Sequence, residues 1–186
     1  MTTSIVVGSL ADIAAKSNTS IAESFLNCEL MTIVDVSGSM ETHDSRGGQS
    51  RYTIALEELA KLQKSRPGKV AVIAFSDTVE FVPGGVPPLL GAGTDLTAAL
   101  RFAHMADSAT MRFVVISDGL PDDEPSALRE ASKFVARLDA VYVGPETDNV
   151  GRAFLTRLTA ASGGQAVTAD RAQQLAATIE TLLLHA

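Results

Sequence analysis

Basic clusters, paired cysteines and long hydrophobic runs are all missing from this 186-residue chain, and each absence removes a class of function. Fifteen Lys and Arg stand against twenty-two Asp and Glu, for a net charge of −7, and no run of cations breaks the balance. Nonspecific binding to nucleic acid or to an anionic membrane surface needs clustered cations to displace counterions, so neither is expected. Cys28 is the single cysteine. No intrachain disulfide can form, a reducing compartment is the simpler assumption, and Cys28 reads as a small buried apolar residue. The start of the chain, Met1 to Gly8, has no basic residue and only Ile5-Val6-Val7 as an apolar run, too short for a signal peptide or a membrane span. The expected location is cytoplasmic. What remains is 46% hydrophobic and 20% charged residues, enough for one globular domain with a full core.

Residues 1 to 28 differ from the rest. Leu10, Ile13 and Ala14, then Ile21, Ala22, Phe25 and Leu26, fall on helical spacing, and Ser9 with Asp12 and Ser20 with Glu23 have the form of capping boxes. Two such short helices are not stable alone, so they must pack on the domain or on a partner. This extension is expected to precede a single domain over residues 29 to 186.

From there strands and helices alternate. Val70 to Phe75 and Phe113 to Ile116 are continuous apolar runs, and Leu30 to Val34 is apolar but for Thr32, the pattern of strands covered on both faces. Thr78 to Val82 alternates and suits an edge strand hairpinned onto its predecessor. Helices are expected over 52 to 64, after Thr94-Asp95, over 125 to 137 with Leu128, Ala131, Val135 and Leu138 inward, over 150 to 161, and over 171 to 183. Short strands at 140 to 143 and 165 to 167 complete the alternation. The expected architecture is an α/β doubly wound sheet of about six strands, mostly parallel, with one antiparallel edge strand and helices on both faces.

Two of the buried strands end in a carboxylate followed closely by glycine. Asp35-Val36-Ser37-Gly38-Ser39 closes the first, and Asp118-Gly119 closes the one that begins at Arg112. In an extended exit from a strand, alternate side chains point the same way, so Asp35, Ser37 and Ser39 can converge on one point. Oxygen donors suit magnesium or calcium, with water filling the remaining positions. By itself the motif is equally a strand followed by a Ser/Gly turn, and Thr94 by itself is accounted for by capping the next helix. Ligands in such sheets bind beyond the carboxyl ends of the strands, where strand order reverses. If the first strand is central, Asp35, Ser37, Ser39, Thr94 and Asp118 meet there.

Taken together, Asp35-Val36-Ser37-Gly38-Ser39-Met40, Gly93-Thr94-Asp95-Leu96 and Ser117-Asp118-Gly119-Leu120-Pro121-Asp122 resemble the von Willebrand factor type A domain family over residues 29 to 183. The five oxygen-bearing residues match that family's metal-ion-dependent adhesion site one for one. The resemblance implies a Rossmann-like fold and a bound Mg2+, with Mn2+ or Ca2+ as alternatives. It implies hydroxyl ligands from Ser37, Ser39 and Thr94, with Asp35 and Asp118 acting largely through bound waters. The partner it implies is a protein that supplies an Asp or Glu carboxylate. Hydroxyls do not neutralise a divalent ion, so the metal stays electrophilic and takes an anionic ligand. The loop from Glu41 to Ser50, Pro87-Pro88 and Asp122-Asp123 would form the rim that selects the partner.

The expected function is therefore a noncatalytic protein-protein interaction module, with no catalytic residues. The competing reading is a metal-dependent phosphoryl-transfer enzyme or phosphatase, which also carries an Asp at the end of a central parallel strand. Against it, Ser37 stands where a second acid would be, no Lys accompanies a later strand end, and no Walker glycine loop exists. A serine hydrolase is disfavoured because neither Ser37 nor Ser39 lies in Gly-x-Ser-x-Gly, and His43, His104 and His185 are poorly placed candidates.

Overall fold

The computed structural model describes residues 5 to 169. In chain order the protein forms short helices α1 (Leu10–Ser17) and α2 (Ile21–Phe25), strand β1 (Leu30–Asp35), helix α3 (Arg51–Ser65), and strands β2 (Val70–Phe75) and β3 (Val79–Phe81). Helix α4 (Leu96–His104), strand β4 (Arg112–Ser117), helix α5 (Glu124–Ala131), strand β5 (Leu138–Tyr142), helix α6 (Val150–Ala160) and strand β6 (Ala166–Thr168) follow. The helix expected over 171 to 183 lies outside the described residues.

The six strands form one sheet in the order β3-β2-β1-β4-β5-β6, parallel except for the β2–β3 hairpin at one edge. Strand order reverses at β1, which pairs with β2 on one side and β4 on the other. This is the position at which such sheets open a crevice. All six residues of β1 are buried, as are all six of β2, because one face meets α3 and the other meets α4. Their apolar runs have no polar face to offer. The buried stripe of α3 runs through Ile54, Ala55, Leu59 and Leu62 and also takes in Glu58, which is paired with Lys61 at 2.7 Å and Arg46 at 3.5 Å.

The N-terminal helices lie against this domain. Leu10 is buried in the core on the α4 face, Ala11 N donates to Pro83 O and Gly68 N donates to Gly8 O. Ser20 and Glu23 form a complete capping box, whereas Ser9 caps α1 and the Asp12 carboxylate accepts instead from Gly8 N. Cys28 packs against the core, and burial pushes its thiol up to about 11, well away from reactivity at neutral pH.

One expected helix is shorter than its periodicity. The segment predicted over 125 to 137 ends at Ala131; Val135 is 80% exposed rather than inward, and Leu138 opens β5 rather than closing the helix. The physical reason is Asp107, whose two carboxylate oxygens accept from Val135 N at 2.7 Å and Ala136 N at 2.9 Å. Those donors are withdrawn from helical bonding and the chain turns into β5. Asp107→Ala should therefore destabilise the fold by about 2 kcal/mol, since two charge-assisted bonds are lost at a partly exposed site. Urea unfolding of the two proteins checks the value.

Candidate metal centre

The site is built at the carboxyl ends of β1 and β4. Asp35 is the last residue of β1 and is completely buried; Asp118 follows β4 directly and is 1% exposed. Asp35 is held at both oxygens: Oδ1 accepts from Ser37 N at 3.0 Å, and Oδ2 accepts from Ser117 Oγ at 2.7 Å. Ser117 Oγ accepts in turn from Gly119 N at 2.9 Å, so one hydroxyl ties the two strand ends together. Ser37 and Ser39 turn their hydroxyls to one side, with the Oγ atoms 3.2 Å apart. Ser37 continues the extended exit from β1, but Gly38–Glu41 form a 3-10 turn, so it is this turn, and not the expected alternation of extended backbone, that brings Ser39 beside Ser37.

The loop before α4 arrives over the same place. Gly38 N donates to Ala92 O, and Leu90 N and Gly91 N both donate to Val36 O. On its other side Thr94 N donates to Asp122 Oδ2 at 2.8 Å, while Asp122 N donates to Thr94 O. Thr94 is thus bonded to the loop that carries Asp118. The cap of α4 is Asp95, whose side chain accepts from Ala98 N, so capping does not account for Thr94. Asp123 caps α5. The five residues expected to converge come from three loops that are hydrogen-bonded to one another at one end of the sheet.

The electrostatics are those of two buried acids side by side. Burial, reinforced by the negative charge of Asp118, pushes Asp35 up to about 6, while the bonds from Ser37 and Ser117 pull the other way. One of the two, Asp118, is paired with a cation, the Arg51 guanidinium at 2.6 Å. Among the described residues no three His, Cys, Asp or Glu side chains gather to hold an ion, so the donor set on offer is hydroxyl-rich with two carboxylates. That chemistry fits a hard ion that keeps part of its water shell, as magnesium does.

Four residues support the site in ways not expected from the sequence: Ser117, Asp122, Arg51 and Asp44. Ser117 holds Asp35, and Asp122 holds the Thr94 backbone. Arg51, the first residue of α3, places Nη1 2.6 Å from Asp118 Oδ2 and grips Asp44 through Nε at 2.8 Å and Nη2 at 2.7 Å. The guanidinium keeps the Asp44 carboxyl below its ordinary value, and the two acids raise the pKa of Arg51. A signal for Arg51 existed: a cation at a helix N-terminus opposes the macrodipole and needs compensation from elsewhere. His43 is exposed in the 41 to 50 loop.

Neither a family model nor a curated protein sequence matches the chain. Solved structures do. An aerotolerance-related membrane protein from Bacteroides fragilis NCTC 9343, carrying multiple mutations to serines, superposes with a TM-score of 0.68 at 17% identity, over 86% of this chain and 100% of that one. Manganese-loaded TRAP protein from Plasmodium vivax gives 0.62 at 15% identity, over 84% and 73%. The SpRpn10 VWA domain gives 0.57 at 14% identity, over 75% and 86%. With a six-stranded sheet reversing at β1, one antiparallel edge and helices on both faces, the chain has the fold of a von Willebrand factor type A domain.

Proposed function

We propose that this protein is a noncatalytic interaction module that captures an Asp or Glu side chain of a partner protein through a divalent ion held by Asp35, Ser37, Ser39, Thr94 and Asp118. The observation that carries the reading is the hydrogen-bonded junction of three loops around the Ser37 and Ser39 hydroxyls, beside two buried acids. The TRAP protein, which shares the fold and was solved manganese-loaded, supports divalent-metal binding by analogy.

When bound, the ion supplies a Lewis-acidic position for an incoming carboxylate. The residues do the rest. Ser37 and Ser39 offer neutral oxygens, which leave the ion's charge largely uncompensated. Asp35 is pinned by Ser37 N and Ser117 Oγ, so it serves as a fixed, oriented acceptor rather than as a group free to attack a phosphorus centre. This favours binding over phosphoryl transfer. Mg2+ is the expected ion, and Mn2+ is a convenient spectroscopic substitute.

The test is capture from a lysate of the native host on immobilised protein, with Mg2+ and then with EDTA. Prey that elutes with chelator and is not retained by Asp35→Asn identifies the partner. Retention that ignores both changes rejects the proposal, and phosphatase activity that is lost in Asp35→Asn would replace it with the enzymatic reading.

A further inference from the structure

Arg51 is a cation already installed beside the candidate metal centre. It is 8% exposed, it opens α3, and its guanidinium bridges the buried Asp118 and the half-buried Asp44 through three charge-assisted hydrogen bonds. The helix start gives it no help, because the macrodipole is positive at that end. The two acids hold its guanidinium. Asp118 spends its other oxygen, Oδ1, on Leu120 N at 3.2 Å. Both oxygens of one of the two site acids are therefore engaged without any ion.

We propose that Arg51 competes with the divalent ion for Asp118 and so sets the affinity of the centre, keeping the ion weakly held until a partner carboxylate completes it. The inference rests on the metal-binding reading given above. Its logic is charge counting. Asp35, Asp118 and the more exposed Asp44 carry three negative charges between them; with Arg51 hydrogen-bonded to Asp118 and Asp44 the local sum falls to two. A positive charge this close to a divalent ion in a poorly screened site lowers affinity by about tenfold or more. The same guanidinium opposes the repulsion between the two acids when no ion is present, so the loops stay assembled. A partner's Asp or Glu then supplies the charge that Arg51 has cancelled, and ion and partner bind cooperatively. Arg51 acts through Asp118 and is a positioning and charge-setting residue.

The experiment is a Mn2+ titration followed by electron paramagnetic resonance on the full chain, for wild type, Arg51→Gln and Arg51→Lys, with thermal melting in chelator and in Mn2+. Arg51→Gln should bind Mn2+ about tenfold or more tightly than wild type, melt lower in chelator and gain more on adding Mn2+. Arg51→Lys retains the charge and should stay within about threefold of wild type. Equal or weaker binding by Arg51→Gln overturns the inference, because Arg51 would then only orient Asp118. If Arg51→Gln does not fold, Arg51→Gln with Asp44→Asn removes the unpaired acid, leaves Asp118 free for the ion and carries an expected gain in the same direction. Failure of the wild type to bind Mn2+ sinks the metal-binding reading for the wild-type protein. In that case binding gained by Arg51→Gln supports the inference, and no binding by either protein overturns it.

Discussion

Asp35→Asn should weaken metal binding by about 100-fold while leaving the metal-free protein at least as stable as wild type. The substitution keeps the shape of a completely buried side chain. Its carbonyl oxygen can still accept from Ser37 N, and its amide can donate to Ser117 Oγ, so the two bonds that fix Asp35 survive with one reversed in direction. What disappears is a buried negative charge next to Asp118. Loss of the anion should weaken Mn2+ binding by about 100-fold, the upper end for groups that orient metal ligands. The pH dependence has a definite sign. Asp35 holds its proton up to about 6, above the ordinary carboxylate value, so the folded metal-free state binds more protons than the unfolded state between about 4 and about 6. Stability of the metal-free wild type should fall as pH rises through that window and level off above it. Metal binding runs the other way, because ion and proton compete: the thermal shift caused by Mn2+ should be full at pH 7.5 and shrink below about 6. Asp35→Asn should show neither trend. Melting curves at pH 5, 6 and 7.5, with chelator and with Mn2+, decide it. A stabilised wild type at pH 5 equal to that at pH 7.5 rejects the assignment of Asp35 as the titrating group.

The second large effect is expected at Gly151, remote in sequence from every oxygen donor. A Cβ there would lie 2.0 Å from Asp118 O, and the facing Gly119, at φ +75°, would put a Cβ 2.3 Å from Gly151 O. The start of α6 and the loop after β4 therefore touch backbone to backbone. Gly151→Ala gains helix propensity of about 1 kcal/mol, but the obstacle is main chain that cannot swing aside. Overpacking wins, with a net loss of about 2 kcal/mol and a melting temperature lower by about 5 °C. Because the atom displaced belongs to Asp118, Mn2+ affinity should fall by about tenfold as well. Gly163→Ala separates the two effects. At φ +77° with no atom within 4 Å of the added Cβ, it should lower stability through backbone strain and leave Mn2+ affinity unchanged. Calorimetric melting and Mn2+ titration of both variants provide the check.

The parts legible in the sequence share one property: they depend on neighbours along the chain. Continuous apolar runs such as Val70 to Phe75 announce buried strands because a parallel sheet covered on both faces has no use for alternation. β-α-β connectivity implied parallel neighbours but left the central place of β1 as a condition, which the strand order meets by setting β2 on one side and β4 on the other, so that Asp35 and Asp118 leave neighbouring strands. Periodicity misled at residues 132 to 137, where Asp107, distant in sequence, claims the backbone donors that a longer α5 needs. It was equally silent on Ser117, whose hydroxyl links the ends of β1 and β4.

The sequence by itself determined the alternation of strands and helices, the antiparallel edge and the placing of Asp35 and Asp118 at strand ends, because apolar patterning and strand boundaries are local. Only the tertiary structure decided that Arg51 reaches Asp118, that Asp122 holds Thr94 and that Gly151 must be bare. Those facts depend on which loops lie side by side in space, and charge pairing and steric exclusion act through space rather than along the chain.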